Sequence, residues 1–317
     1  MKRVEVNGIT LEVHIEGSGP LCVLVHGWPE LWWSWRHQIG ALVTAGYRVA
    51  VPNVRGYGQS GAPDEVADYR MSELSADIVG LVDALGEEQA ILIGHDWGAP
   101  IVWSTALLHP DRVRAVIGMS VPHVGRGGPI PPTELYRALH PNRFFYILHF
   151  QTPDVPEAEF EGDVRDSLSK VYFMNSGDST PEVRRAMRER KTGYLDGIEA
   201  PATLPNWLTE SDLDRYAEAY TQSGFRGGIN RYRNMDRDWA ELAHFDTAQI
   251  EQPALFVAGE HDSVLRYAPG IDLLAMMDPF FTDLRGKVIV PGAGHWVQQE
   301  RPDDVNRAIL QFLKGVA

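Results

Sequence analysis

Cysteine is nearly missing from this chain: among 317 residues only Cys22 is present, set inside the apolar run Leu21 to Val25. Internal disulfides and cysteine-based metal sites are thereby excluded, and a reduced, cytoplasmic setting is expected. Positive charge is also short, with 29 Lys and Arg against 43 Asp and Glu and a formal charge of −14. That sign repels a polyphosphate backbone or an anionic lipid surface, so neither nucleic acid nor membrane is expected as a partner. No apolar stretch approaches the roughly 18 residues of a membrane span, and the opening Met1-Lys2-Arg3-Val4-Glu5-Val6 lacks the apolar region of a signal peptide. Internal repeats and low-complexity tracts are absent as well. What is present, 44% apolar and 23% charged residues, is the balance of an ordinary folded protein. The length suits one large α/β domain or a core carrying a smaller module.

Two short segments, Val4 to Val6 and Thr10 to Ile15, alternate apolar and polar residues around Asn7-Gly8, a pair that favours a tight hairpin turn. The pattern then changes to continuous apolar runs: Leu21 to Val25, Tyr47 to Val51, Ala90 to Ile93, Val113 to Met119, Ala254 to Ala258 and Lys287 to Val290. Such runs predict parallel strands buried on both faces. Helical patterns separate them, the clearest placing Leu74, Ile78, Leu81 and Leu85 on one face with Gly86 as the stop. Alternating strands and helices predict a mostly parallel, doubly wound sheet. The alternation breaks near Pro122 and resumes near Pro253. Between lie Pro129, Pro131, Pro132, Pro141, Pro153 and Pro156 and the helix-compatible stretches Pro181 to Lys191 and Glu210 to Tyr220. The expected organisation is therefore a core of residues 1–122 and 246–317 with a helical lid at 123–245, placed over the carboxyl edge of the sheet where such folds hold ligands.

The run Ala90 to Ile93 leads into Gly94-His95-Asp96-Trp97-Gly98 and then a helical segment, the setting of a strand-turn-helix elbow that presents its middle side chain to a cleft. Here that side chain is Asp96, whose alternative use is to cap the following helix. Farther on, Asp262 closes the strand ending in Ala258-Gly259, and His295 stands in the Gly-rich loop after the last strand. Nucleophile, acid and histidine in that order match the triad of α/β-hydrolases. Asp262 could instead cap a helix, and Glu260 and His261 are rivals for acid and base, but neither rival reproduces the order at separate strand ends. The first parallel strand delivers His26-Gly27-Trp28-Pro29, where the proline biases Trp28 away from the α region and can aim its N–H into the cleft. The N–H groups of Trp28 and Trp97 would form an oxyanion hole. His26 reads as scaffold, holding a turn at a strand end.

These motifs, His26-Gly27-Trp28-Pro29, Arg55-Gly56-Tyr57-Gly58-Gln59-Ser60, Gly94-His95-Asp96-Trp97-Gly98 and Gly294-His295-Trp296, resemble those of the α/β-hydrolase-fold epoxide hydrolases of the soluble mammalian and bacterial type. The resemblance extends through Phe145 to Gln151 and Gly224 to Met235, similar to the segments that carry the family's paired lid tyrosines. It implies that Tyr146 and Tyr232 are that pair. Two departures stand out: Asn53 replaces an Asp common before the Arg-Gly turn, and His149 replaces an aromatic residue, with an expected effect on the pocket lining. Trp207, Trp239, Trp296, Met174 and Met235 are read as packing.

An ionised carboxylate attacks an sp³ carbon without a base, whereas a serine hydroxyl needs one, so Asp96 points to alkyl transfer. The resemblance implies that an apolar epoxide becomes a vicinal diol through an ester on Asp96, with lid tyrosines donating the proton and His295, oriented by Asp262, activating water. No cofactor or metal is implied. A detoxifying role is expected, and a homodimer stays open. A haloalkane dehalogenase would use the same Asp, His and acid, but halide leaves without a proton and makes paired tyrosines superfluous. Fluoroacetate-type dehalogenases usually carry Arg where this chain has Trp97. A non-catalytic binding protein of the same fold would not need an intact triad.

Overall fold

The computed structural model describes residues 1–189, 191–267 and 270–316. Eight strands form one sheet: β1 (Lys2–Val6), β2 (Ile9–Glu16), β3 (Leu21–Val25), β4 (Arg48–Pro52), β5 (Ala90–His95), β6 (Val113–Met119), β7 (Ala254–Gly259) and β8 (Leu284–Val290). Their order is β1-β2-β4-β3-β5-β6-β7-β8. The hairpin β1-β2 and the pair β2-β4 are antiparallel, and every later pairing is parallel. Chain reversal between β1 and β2 uses Asn7 and Gly8, both at positive φ.

The apolar runs are continuous because each inner strand feeds two cores. In β3, Val23 and Val25 pack to one side with Leu74, Ile78, Leu81, Ile101 and Val102, while Cys22 and Leu24 pack to the other with Ile39, Leu42, Val305 and Ile309. Helices Met71–Ala84 and Gly98–Leu108 therefore cover one face, and Arg36–Thr44 and Pro302–Leu313 the other. Each fully buried aliphatic side chain contributes about 1.5–3 kcal/mol, so the period-2 split secures the register of every inner strand. One expectation is corrected. Lys287 to Val290 was expected to be buried on both faces, but β8 is an edge strand with only β7 beside it, and Ile289 is 37% exposed.

Between β6 and β7 the described residues form helices and no strand, among them Tyr146–His149, Val164–Met174, Glu210–Ser223 and Arg226–Tyr232. The stretch Pro181 to Lys191 is helical over Pro181–Glu189; Arg190 lies outside the described residues, as do Ala268, Pro269 and Ala317 of the expected core. This helical layer rests on the loops that leave the carboxyl ends of the strands. The Tyr172 hydroxyl donates to the Pro29 carbonyl (2.7 Å), the Trp296 indole to the Tyr172 carbonyl (2.8 Å), and the Met71 N–H to the Asp238 carboxylate (2.8 Å). Among the described residues no helix is long and apolar enough to cross a membrane.

The turn after β4 is locked by Arg55, whose guanidinium donates to both oxygens of Asp77 at 2.8 and 2.6 Å with both side chains buried. Removing one member of such a pair strands a buried charge. Asp77→Ala should lower stability by about 3–5 kcal/mol, read as a lower urea midpoint at unchanged slope. A midpoint equal to the parent's would contradict this account of the turn.

Candidate active site

β5 ends at His95, and the chain reverses sharply through Asp96 (φ 50) into helix Gly98–Leu108. The flanking glycines are dictated by contact: a Cβ on Gly98 would stand 2.0 Å from the Val25 carbonyl oxygen, and one on Gly94 2.1 Å from that of Gly98. A positive φ is costly for an aspartate, so the turn persists only because this packing holds it. The alternative use of Asp96 as a helix cap is not realised, because no side-chain cap bond is made at this helix. Its carboxylate instead accepts the Trp28 N–H on Oδ1 at 2.7 Å and lies 3.2 Å from His295 Nε2 through Oδ2.

His295 reaches Asp96 from the loop after β8, and Asp262 reaches His295 from the loop after β7. The His295 Nδ1 stands 3.1 and 3.2 Å from the two oxygens of Asp262, which is 0% exposed. A carboxylate there can only accept, so Nδ1 carries the proton and Nε2 faces Asp96. Asp262 also accepts the Val264 N–H, so holding a turn and holding the histidine are joint uses of one carboxylate. Of the rivals, Glu260 accepts the Gly292 N–H at the surface, and His261 is half-buried beyond the triad.

The turn after β3 carries Trp28, joined to Pro29 by a cis bond. His26 supports it from below: its Nδ1 donates to the Gly27 carbonyl (2.9 Å) and its Nε2 accepts the Val54 N–H (3.0 Å). Both ring nitrogens are committed, and burial pushes its pKa down to about 4, so His26 stays neutral. Trp97 occupies the N-cap of the helix after Asp96, with its ring edge-on to Tyr232 at 5.0 Å and beneath the Arg231 guanidinium.

Tyr146 opens helix Tyr146–His149 and Tyr232 closes helix Arg226–Tyr232. Gln151 ties the two helices by donating to the carbonyls of Ile147 (2.9 Å) and Tyr232 (3.1 Å), and Phe150 packs edge-on against both rings. The tyrosine rings lie 5.8 Å apart between centroids and line, with Asp96, a largely apolar cavity of about 300 Å³ whose other walls include Leu135, Leu139, Val264 and Met276. A small recess on the same wall adds Trp28, His295 and Trp296. The structure thus brings Asp96, His295, Asp262, Tyr146, Tyr232, Trp28 and Trp97 to one place.

Residues 20–302 match the family described as alpha/beta hydrolase fold. Epoxide hydrolase A of Mycobacterium tuberculosis is 41% identical over 317 residues, with 99% of this chain and 97% of that protein covered. Among solved structures, epoxide hydrolase A from Mycobacterium thermoresistibile superposes with a TM-score of 0.92 at 46% identity, covering 100% of this chain and 98% of that one. An epoxide hydrolase from an endophytic Streptomyces gives 0.93 at 43% identity, covering 99% and 95%. The chain belongs to the epoxide hydrolases of the α/β-hydrolase fold.

In this epoxide hydrolase chain the charge pattern follows from burial and neighbours. Burial alone would lower the pKa of His295, but the carboxylates of Asp262 and Asp96 outweigh it and hold the ring well above the ordinary histidine value. Burial works against Asp262 too, yet His295 and its N–H donors keep it below the usual carboxylate range. Tyr146 and Tyr232 are pushed far up, first by burial and then by neighbouring tyrosines and Asp96, so both keep their protons.

One reading changes, one is extended and one residue is added. His149, expected to alter the pocket lining, turns instead to the half-buried carboxylate of Glu159, with Nε2 at 2.9 Å, an acceptor held in place by the N–H groups of Tyr194 and Leu195. Met235, expected as packing, does pack against the main core and also lines the cavity with Tyr232. Tyr267, which sequence reasoning passed over, donates its hydroxyl to that of Tyr146 at 3.0 Å. Its one sequence signal is its place five residues after Asp262. The His295 environment is directly readable: at about pH 7.5, one unit above an ordinary histidine, its ring ¹⁵N shifts should be those of an imidazolium. Asp262→Asn should move that titration to lower pH. A neutral ring in the parent at this pH would overturn the assigned charge pattern.

Proposed function

We propose that this enzyme converts apolar epoxides to vicinal diols through a covalent ester on Asp96, with Tyr146 and Tyr232 as proton donors and His295 as the base of the second step. The observation that carries the reading is the elbow carboxylate, held on one oxygen by the Trp28 N–H and facing two phenols across an apolar cavity. Oδ2 attacks an epoxide carbon, the carbon–oxygen bond of the ring breaks, and its electron pair goes to the epoxide oxygen. An alkoxide is a poor leaving group, so a phenol that still holds its proton supplies it as the bond breaks. The Tyr267 hydroxyl, donating to Tyr146, is placed to stabilise the phenolate that results.

Esterification removes the negative charge of Asp96, one of the two carboxylates that hold the His295 proton. The ring then gives up that proton, which restores the phenol left ionised by the first step, and the neutral ring serves as base, oriented by Asp262. Water loses a proton to Nε2 and attacks the ester carbon, and the negative charge develops on Oδ1, the oxygen already facing the Trp28 N–H; the N–H of Trp97 is the proposed second donor. Collapse breaks the bond from the acyl carbon to the old Oδ2, which leaves in the diol and takes the proton from Nε2; the oxygen of water stays in the carboxyl group, whose remaining proton returns to the ring. The apolar lining supports an uncharged, apolar substrate, with the helical layer of residues 123–245 acting as lid over the core segments 1–122 and 246–317. The buried, free thiol of Cys22 supports a reduced, cytoplasmic setting.

A general acid contributes about 10² to 10⁴ in rate. Tyr146→Phe or Tyr232→Phe should therefore slow alkylation by aryl, terpenoid or fatty-acid epoxides, one partner covering in part for the other, and the double variant should nearly abolish it. Chlorinated and brominated alkanes, assayed beside them, should not turn over. Full epoxide turnover in the double variant would remove the proton-donor assignment.

A further inference from the structure

Glu300 takes no part in the chemistry above, yet it is a carboxylate only 5% exposed, at the end of the short helix Val297–Glu300 that follows His295. No described cation pairs with its side chain. Its partners are backbone N–H groups: Oε2 accepts from Gly294 (2.9 Å) and from Gly177 (2.8 Å), and Oε1 accepts from Trp296 (3.0 Å). Gly294 and Trp296 flank His295, while Gly177 belongs to the helical layer. The remaining N–H of the run, that of His295, donates to the Asn175 carbonyl at 2.9 Å, again in the helical layer. Three consecutive N–H groups are thus divided between one buried carboxylate and one carbonyl across the seam.

The seam is close enough to exclude side chains. A Cβ on Gly177 would stand 2.2 Å from the Gly292 carbonyl oxygen, and one on Gly294 2.3 Å from the Gly177 nitrogen. Two backbones in this contact have few ways to satisfy their polar groups, and an unpaired buried N–H costs about 1–3 kcal/mol. The carboxylate stays at a cost of its own: burial, with Asp178 adding to it, outweighs the three N–H donors and pushes its pKa up to about 7. A group kept in so unfavourable a place has a positional use.

We propose that Glu300 is a positioning residue for ester hydrolysis, holding the His295 loop against the 175–178 loop so that Nε2 of His295 keeps its aim at the ester. The proposal rests on the two-step reaction proposed above and assigns Glu300 to its second step. Alkylation by Asp96 depends on the elbow, the Trp28 N–H and the two lid tyrosines, none of which is a partner of the Glu300 carboxylate; water activation depends on where Nε2 of His295 points.

The test follows one turnover of styrene oxide by rapid quench and intact-mass measurement, in the parent, Glu300→Gln, Gly177→Ala and Asp96→Ala, with thermal melts to verify folding. An amide presents one acceptor atom where the carboxylate presents two, so Glu300→Gln must leave part of the set unpaired. A misplacement near 1 Å can cost about 10²-fold, so ester breakdown should slow about tenfold or more while ester formation stays within about twofold, and the ester should accumulate. Gly177→Ala keeps the carboxylate but forces the loops apart; it should shift the balance the same way and carries the test if Glu300→Gln does not fold. Parental rates of breakdown in the folded variants, or both steps slowed equally, overturn the assignment of Glu300 alone. No ester in the parent, with turnover retained by Asp96→Ala, overturns the two-step reading and this proposal with it.

Discussion

The hydrogen bond from the Trp28 N–H to Oδ1 of Asp96 is the contact on which the site depends. It joins the turn after β3 to the elbow after β5, neighbouring strands in the parallel sheet, and it distinguishes two chemically equivalent oxygens. One is held by a donor that suits a developing oxyanion, and the other is left to face the cavity and His295. A backbone donor fixed by strand geometry needs no reorganisation as charge moves, which is where preorganised sites gain most. Both the positive φ of Asp96 and the glycines around it are consequences of bringing the carboxylate to that donor.

Beneath this contact lies a second polar layer that keeps the three active loops in register. Glu30, fully buried, accepts from the Gly27 N–H (3.1 Å), from Gln298 (2.8 Å) and from Gln299 (3.1 Å), and its Oε2 lies 2.7 Å from Nδ1 of His95. His95, the neighbour of Asp96, faces the His295 carbonyl through Nε2 at 2.7 Å. The turn after β3, the end of β5 and the helix after His295 therefore meet on one buried carboxylate. Burial works against that charge, and the opposing pull of His95 keeps Glu30 below its ordinary pKa. A satisfied buried network of this kind restricts the alternatives open to the loops, since displacing any member strands several others.

Much of the core was legible because its signals are local. Continuous runs of β-branched and aliphatic residues mark inner strands, and only β8 departs, since at the sheet edge the covering layers leave its side chains partly in solvent. The elbow was readable from Gly94 and Gly98, whose small size reports a close backbone approach, and Asp262 and His295 from their places at strand ends. Tyr146 and Tyr232 were not readable in that way. They came from resemblance to a family, because two tyrosines 86 positions apart become a pair only when Gln151 and Phe150 fix two helices side by side. Tyr267, Glu30 and Glu300 left still less trace, since each is defined by partners from distant loops. The same reason misplaced His149, whose partner Glu159 lies on another helix.

The central claim, that the carboxylate of Asp96 is itself the nucleophile, is tested most directly by a single turnover of the unmutated enzyme in ¹⁸O water. If the ester forms and is cleaved at its acyl carbon, label should appear in the Asp96 carboxylate, located by peptide mass after digestion, while the first-turnover diol carries the unlabelled oxygen that Asp96 held. Label in that first diol with none in Asp96 would mean direct attack by water. Asp96 would then be a base, and the division of labour between its two oxygens would be contradicted.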